Sequence, residues 1–218
     1  MINGINSREM ILEILLEIEE GEHSHVAIRN ALSKYQFLPK QDRAFITRVC
    51  EGTLEYRIQI DYIINSFSKV TVDKMKPAIR EILRSAVYQL KYMDSVPDSA
   101  VCNEAVKLAQ RKGFYNLKPF VNGVLRTIAR EMDQVRFPQK EDDLLKYLSV
   151  KYSMPEVLVT RWLEAYGEET TEKILADFLT EHPLTIRCRT YLNSKEEIVK
   201  SLESQGVHVA PAPYLPYA

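Results

Sequence analysis

The chain has 218 residues, of which 45% are hydrophobic, and its formal net charge is −1. This length suits one full domain with a smaller second unit, and this composition can form a hydrophobic core. No apolar run approaches the about 20 residues of a membrane-spanning helix, and the N-terminus has no signal-peptide pattern, so we expect a cytoplasmic protein with no membrane partner.

Helical periodicity dominates residues 1–138. The first helix is predicted from Ser7 to Glu20, with Asn6 as its N-cap and Ile11, Ile14 and Leu15 on its buried face. Further helical patterns follow at about residues 24–35, 39–67 and 75–93, and Gly52 marks a bend or a tight crossing within the pattern at 39–67. Short links and the lack of a strand pattern predict a mainly α fold in which these helices form a bundle.

Two more helices, at about residues 96–109 and from Phe120 onward, carry polar residues beside their apolar stripes. Asn103 and Glu104 flank the first stripe, and Asn122 lies within the second. Gly123 costs about 1 kcal/mol relative to alanine inside a helix, so we expect it to permit the close approach of another helix.

The composition changes near residue 138. Residues 139–183 are expected to form linker helices, with a helix end at Gly167. Residues 184–218 read as the start of a small α/β unit, because Leu184 to Arg189 and Val207 to Val209 alternate like strands around a helix capped by Ser194. Two strands and one helix are marginal alone, so we expect the chain to be a fragment that lacks a C-terminal part.

Catalytic chemistry is not expected in this chain. Cys50, Cys102 and Cys188 are far apart and form no C-x-x-C pair, which argues against a disulfide framework or a zinc site. The four histidines lack a cysteine or carboxylate cluster, so no metal site is predicted. No two of the seven glycines lie within three residues of each other, which leaves no glycine-rich turn for a nucleotide-type cofactor.

The last two bundle helices, with residues 41–56 and 61–64, resemble the NusB-type all-helical RNA-binding domain. Residues 151–162 and 182–189 resemble the linker region of RsmB-type ribosomal RNA cytosine-C5 methyltransferases. The resemblance implies three parts: a NusB-like domain at 1–138, linker helices at 139–183, and an incomplete α/β unit at 184–218 that leads into an absent methyltransferase domain.

The resemblance implies a role in rRNA processing. This chain would be the RNA-recognising and domain-organising part of a small-subunit (16S) rRNA methyltransferase, with ribosomal RNA and the missing catalytic domain as partners. The full-length protein would use S-adenosylmethionine, whereas this chain would bind no cofactor and be inactive alone. The family places its functional cysteines after Pro and Thr, and Val49, Val101 and Arg187 stand there instead.

RNA contacts are expected from basic residues of the first part of the chain. Residues 1–138 carry 20 Lys and Arg against 17 Asp and Glu, a net charge of +3. Residues 139–218 carry 9 against 13, a net charge of −4. The alternative for the helical residues is a solvated face with local ion pairs. For the two on the predicted strand, the alternatives are docking of the missing domain and plain exposure to solvent. The candidates are Arg43, Arg48, Lys118, Arg126, Arg187 and Arg189, with Arg57 and Arg130 as further helical cations.

Asn103, Glu104 and Asn122 have two interpretations. The one we favour is a buried structural cluster that hydrogen-bonds Arg80 or Arg84, in which case Asn122→Ala lowers the melting temperature by several degrees. The other is a polar surface that contacts RNA.

Two departures from the relatives bear on function. The arginine-rich start of NusB proteins is reduced here to Arg8 beside Glu9, and Arg189 stands where the methyltransferases usually have Asn. The first departure argues against direct antitermination activity. Two alternatives stay open: a stand-alone NusB-like antitermination protein, which would not need residues beyond 138, and a helical protein-interaction module.

Overall fold

A computed structural model of the chain describes residues 6–180 and 182–211. Within these ranges the backbone forms ten α-helices and no β-strand. The mainly α prediction is therefore confirmed. The helices are α1 Ser7–Glu19, α2 Ser24–Lys34, α3 Lys40–Glu55, α4 Arg57–Phe67, α5 Pro77–Tyr92, α6 Asp98–Arg111, α7 Lys118–Glu131, α8 Leu144–Lys151, α9 Glu156–Phe178 and α10 Lys195–Ser204.

Local sequence signals explain most helix ends. The Asn6 side chain accepts hydrogen bonds from the backbone N–H groups of Arg8 and Glu9, at 2.9 and 3.3 Å, and so acts as the predicted N-cap of α1. The long pattern at 39–67 is two helices, because the backbone leaves the helical region at Tyr56 rather than at Gly52.

Helix α5 lies at the centre of the bundle, where it packs against α1, α3, α4, α6 and α7. Its buried residues include Tyr88, whose ring fills the space that a side chain at Gly52 would need. A side chain at Gly52 would overlap that ring, so Gly52 is the tight crossing point. The main hydrophobic core spans α1 to α7, from Met10 to Ile128.

Three buried or half-buried charged groups join α4 to α5. The Arg84 guanidinium donates two hydrogen bonds to the Asp61 carboxylate, at 2.7 and 2.6 Å, and also pairs with Glu81. Arg80 pairs with Glu19 of α1. Both arginines thus pair with carboxylates, and neither is a partner of Asn103 or Asn122.

Helices α8 and α9 form a second, smaller hydrophobic cluster around Leu148, Val159 and Leu175. They join the bundle at the start of α4, where the Ser153 hydroxyl accepts a 3.0 Å hydrogen bond from the Ile58 N–H. Helix α9 is broken at Gly167, whose φ of 73° is the left-handed conformation that favours glycine. The predicted helix end at Gly167 is thus observed.

The first of two compact units ends at Phe178, and the second begins at Leu179. In the second unit, Ser194 and Glu197 form a complete capping box at the start of α10. The two strand predictions were wrong for the described residues: 184–189 and 207–209 are extended without ladder partners. A strand requires a neighbour for its backbone hydrogen bonds, and these two segments do not pair with each other.

In the described part of the chain, no helix combines the length and the apolar character that crossing a bilayer requires.

Candidate nucleic-acid interface

Helices α6 and α7 pack closely against each other and present one mixed polar surface. Helix α7 buries Val121, Val124, Leu125 and Ile128 on one side. On another side its polar residues recur every four positions, and side chains with this spacing are neighbours on a helix. The residues of this polar stripe are Lys118, Asn122, Arg126 and Arg130.

One arginine connects the two helices. The Arg126 Nε donates a 2.9 Å hydrogen bond to Asn122 Oδ1, and its Nη2 lies 3.4 Å from Asn103 Oδ1 on α6. Arg126 and Asn103 are exposed, and Asn122 is half-buried. The guanidinium is thereby positioned between α6 and α7, with donors still available to solvent or a ligand.

The predicted buried cluster was wrong in its burial and in its arginine partners. Asn103, Glu104 and Asn122 lie on the same surface, but none is buried. Because the amide groups reach solvent, the loss of stability expected for Asn122→Ala no longer follows. The sequence placed Asn103 and Glu104 beside the apolar stripe of α6, but it did not show that these flanking positions, or Asn122 on α7, would be left unburied.

The role expected for Gly123 was also wrong. No atom lies within 4 Å of the position that a Cβ would take there, and the residue is exposed. No helix in the described part of the chain therefore packs closely at Gly123. It leaves helix backbone uncovered beside Asn122, where an external ligand can approach closely.

Carboxylates neutralise part of the positive charge of this surface. Glu104 accepts a 2.7 Å hydrogen bond from Lys107, and this bond, with the nearby charges of Lys107, Arg8 and Arg111, lowers the pKa of Glu104. Arg130 pairs with Glu131 at 2.6 Å. Lys107 was not among the sequence candidates, although its i,i+3 spacing from Glu104 is the usual signal for such a pair.

The other basic candidates lie elsewhere. Arg43 lines an open groove of about 420 Å³ between α2 and α3. Arg48 is exposed on α3, and its Nη2 lies 3.5 Å from the Tyr92 carbonyl oxygen at the end of α5. Arg187 and Arg189 are both exposed in the second unit, on an extended segment rather than on the face of a sheet.

The described residues do not fit S-adenosylmethionine. The glycines with positive φ lie singly, and none of them has an atom within 4 Å of its Cβ position that would help form a cradle. Burial raises the pKa of the Cys50 and Cys102 thiols, which disfavours the thiolate that a nucleophile needs. Among the described residues, no group of three or more His, Cys, Asp or Glu could hold a metal ion.

Comparison with known proteins agrees with this architecture. The NusB family model matches residues 5–130, more than half of the chain, and the chain belongs to the NusB family. A second model, the RsmF/B-like methyltransferase ferredoxin-like domain, matches residues 154–218.

One curated relative matches nearly the whole chain. It is the probable ribosomal RNA small subunit methyltransferase B of Bacillus subtilis (strain 168), which is 32% identical over 202 residues. The match covers 93% of this chain but only 44% of the relative, so the chain spans less than half of that protein's length.

Two solved structures share the fold. The crystal structure of PH0851 superposes with a TM-score of 0.69 at 22% identity, over 98% of this chain and 48% of that one. The antitermination factor NusB, in a crystal structure with NusE and double-stranded RNA, gives a TM-score of 0.53 at 21% identity, over 57% of this chain and 93% of that one.

Proposed function

We propose that this chain is the RNA-recognising and domain-organising part of a small-subunit ribosomal RNA cytosine-C5 methyltransferase. The observation that carries the proposal is the α6–α7 surface, where Arg126 is positioned by Asn103 and Asn122 beside the uncovered backbone of Gly123. Guanidinium and amide groups are the side chains that proteins use for phosphate and base contacts.

The comparisons support the two halves of this proposal. The fold is shared with a NusB protein crystallised with RNA, and the long relative is a ribosomal RNA methyltransferase. The match over residues 154–218 favours the methyltransferase proposal over a stand-alone antitermination protein, which has no use for that segment.

In this proposal the methyl group comes from S-adenosylmethionine, bound by residues other than those described here. This chain contributes binding and orientation of the RNA. Lys118, Arg126 and Arg130 bind phosphates of the RNA backbone. Asn103 and Asn122 form contacts with those parts of the RNA that lie against the helices.

The test is the affinity of the chain for a labelled single-stranded fragment of small-subunit rRNA, measured by fluorescence anisotropy at several salt concentrations. We expect binding that weakens steeply with salt, and Arg126→Gln should weaken it and reduce the salt slope by about one. Arg29→Gln, which changes an exposed arginine on α2, is the matched control and should bind like the wild type.

Absence of RNA binding by the wild-type chain at about 50 mM salt would contradict the proposal and favour the protein-interaction alternative. Equal losses for Arg126→Gln and Arg29→Gln would show that the α6–α7 surface is not the contact.

A further inference from the structure

A cleft of about 110 Å³ lies where the bundle meets the linker helices. Its lining comes from α4, the end of α5, the segment after α7, and α8, so elements far apart in sequence converge on it. The lining residues are Gln59, Lys91, Phe137, Pro138, Tyr147 and Lys151.

Two aromatic rings form walls of this cleft. Phe137 stacks on Tyr62, with ring centroids 5.7 Å apart and planes 21° apart. The Tyr147 hydroxyl accepts a 2.6 Å hydrogen bond from Lys151 Nζ. Both rings are thus held by neighbours, and rigid aromatic walls are the usual platform for an unstacked nucleobase.

Most polar groups around the cleft are already occupied. Gln59 Nε2 donates to the carbonyl oxygens of Val150 and Lys151, each at 3.1 Å, and Gln59 Oε1 accepts from the Tyr92 hydroxyl. Lys151 Nζ is also 3.0 Å from a Glu172 carboxylate oxygen, which neutralises it. These groups shape the cleft and are not free to bind a ligand.

Lys91 is the exception. Its ammonium lies 5.5 Å from the ring centroids of both Phe137 and Tyr92, and within the described residues it forms no ion pair and no hydrogen bond. Burial lowers the pKa of Lys91, and the negative charge of Asp133 offsets part of this effect by raising the pKa. A half-buried cation with no carboxylate at ion-pair distance among the described residues favours an incoming anion.

We propose that this cleft binds one unpaired nucleotide of the RNA, with the base against Phe137 and Tyr147 and the phosphate on Lys91. The inference rests on the proposed function, and it adds a second contact on a different surface from α6 and α7. The volume of the cleft is below the roughly 300 Å³ at which small-molecule sites begin, so the cleft admits one flat ring rather than an extended cofactor.

The first arm of the test titrates the whole chain with cytidine 5′-monophosphate and, separately, with inorganic phosphate, followed by NMR of the aromatic side chains and lysine methylenes. We expect cytidine monophosphate to shift the signals of Phe137, Tyr147 and Lys91. Phosphate alone should shift Lys91 and leave the two rings nearly unchanged. Lys91→Gln should remove the response to both, and Lys69→Gln, at an exposed lysine after α4, should preserve it.

The second arm measures anisotropy with the single-stranded rRNA fragment. Lys91→Gln and Phe137→Leu should each weaken binding severalfold, with Lys91→Gln also lowering the salt slope by about one. If the wild type binds RNA and both variants bind like Lys69→Gln, the nucleotide cleft is wrong and the proposed function stands.

The two failures are distinguishable. A chain that binds neither the RNA fragment nor cytidine monophosphate contradicts both proposals. A cleft that responds equally to phosphate and to the nucleotide is an anion site without a base, which overturns the nucleotide assignment.

Discussion

Two glycines inside helices of this molecule have opposite roles. The close approach predicted at Gly123 was wrong, whereas of the two roles predicted for Gly52, a bend or a tight crossing, the structure shows the crossing. Gly123 was expected to meet another helix, and none of the described residues covers it. Gly52, in contrast, faces the Tyr88 ring directly. The difference arises because Tyr88 comes from α5, a separate helix whose packing against α3 is not encoded near Gly52. Local propensity identifies a glycine that costs stability, but only the tertiary contact identifies its function.

Gly52→Ala should destabilise the fold by about 2 kcal/mol or more, because overpacking of a core typically costs about 1–3 kcal/mol and this site has no free volume. Tyr88 cannot swing aside easily, since it is buried and packs against Tyr56 and Tyr92. Urea unfolding followed by circular dichroism measures the difference.

Gly123→Ala is the matched control, since it makes the same change in an exposed helix interior. It should stabilise the chain by about 0.5–1 kcal/mol, the gain in helix propensity. Equal effects of the two substitutions would contradict the assignment of Gly52 as the close crossing.

Between helices, the clearest interaction outside the core is the attachment of α8 to the second half of α9. Glu172 accepts hydrogen bonds from Lys151 Nζ and the Tyr152 hydroxyl, both at 3.0 Å, and Lys140 Nζ lies 3.4 Å away. The Glu172 carboxylate of α9 thus contacts three side chains from residues 140–152, next to the hydrophobic cluster around Leu148 and Leu175.

The stability contributed by Glu172 should depend on pH. The hydrogen bond from Lys151, with those from Tyr152 and Lys140, lowers the pKa of Glu172 in the folded state. A lowered folded-state pKa gives stability that is fully present above the unfolded-state pKa and is lost as the pH falls through the folded-state pKa. Glu172→Gln should therefore cost about 1 kcal/mol at neutral pH and progressively less below about pH 4.5.

Thermal unfolding of both proteins from pH 3 to pH 7 tests this dependence. Glu169→Gln is the control, because Glu169 pairs with Lys173 at 2.7 Å on the same helix but is highly exposed. Exposed pairs of this kind contribute little, so its effect should be small at every pH. A cost for Glu172→Gln that does not change with pH would exclude the carboxylate charge as its cause.

Whether an element was predicted correctly depends on how far along the chain the residues that determine it are spread. Helices depend on caps and periodicity within about four residues, so Asn6, Ser194 and Gly167 were read correctly from the sequence. Strands depend on partners elsewhere, and the alternation in 184–189 could not show whether a partner exists. The same limit applies to the candidate sites: Asn122 and Arg126 were predictable as i,i+4 neighbours, whereas Lys91, Phe137 and Tyr147 meet only through tertiary packing.

Burial is distributed very unevenly over the whole molecule. The core from α1 to α7 and the cluster of α8 and α9 both lie before Phe178, whereas no described residue from 182 to 211 is buried. Large apolar side chains in that later segment remain exposed, with Leu184 89% and Tyr191 78% accessible. Since burial of apolar surface is the main stabilising contribution to folding, the first unit should carry nearly all of the stability.

Truncation after Phe178 should therefore leave the melting temperature within about 2 °C of the full chain, because a change of 1 kcal/mol shifts it by about 2–4 °C at this size. Differential scanning calorimetry of the two proteins measures the shift. The truncation also removes Arg187 and Arg189, so the same pair of proteins tests their role in RNA binding. Unchanged affinity and an unchanged salt slope would assign recognition to the first unit, whereas a slope reduced by about two would assign phosphate contacts to the removed arginines. A fall in melting temperature of more than about 5 °C would contradict the burial argument, since it would require the later residues to stabilise the bundle.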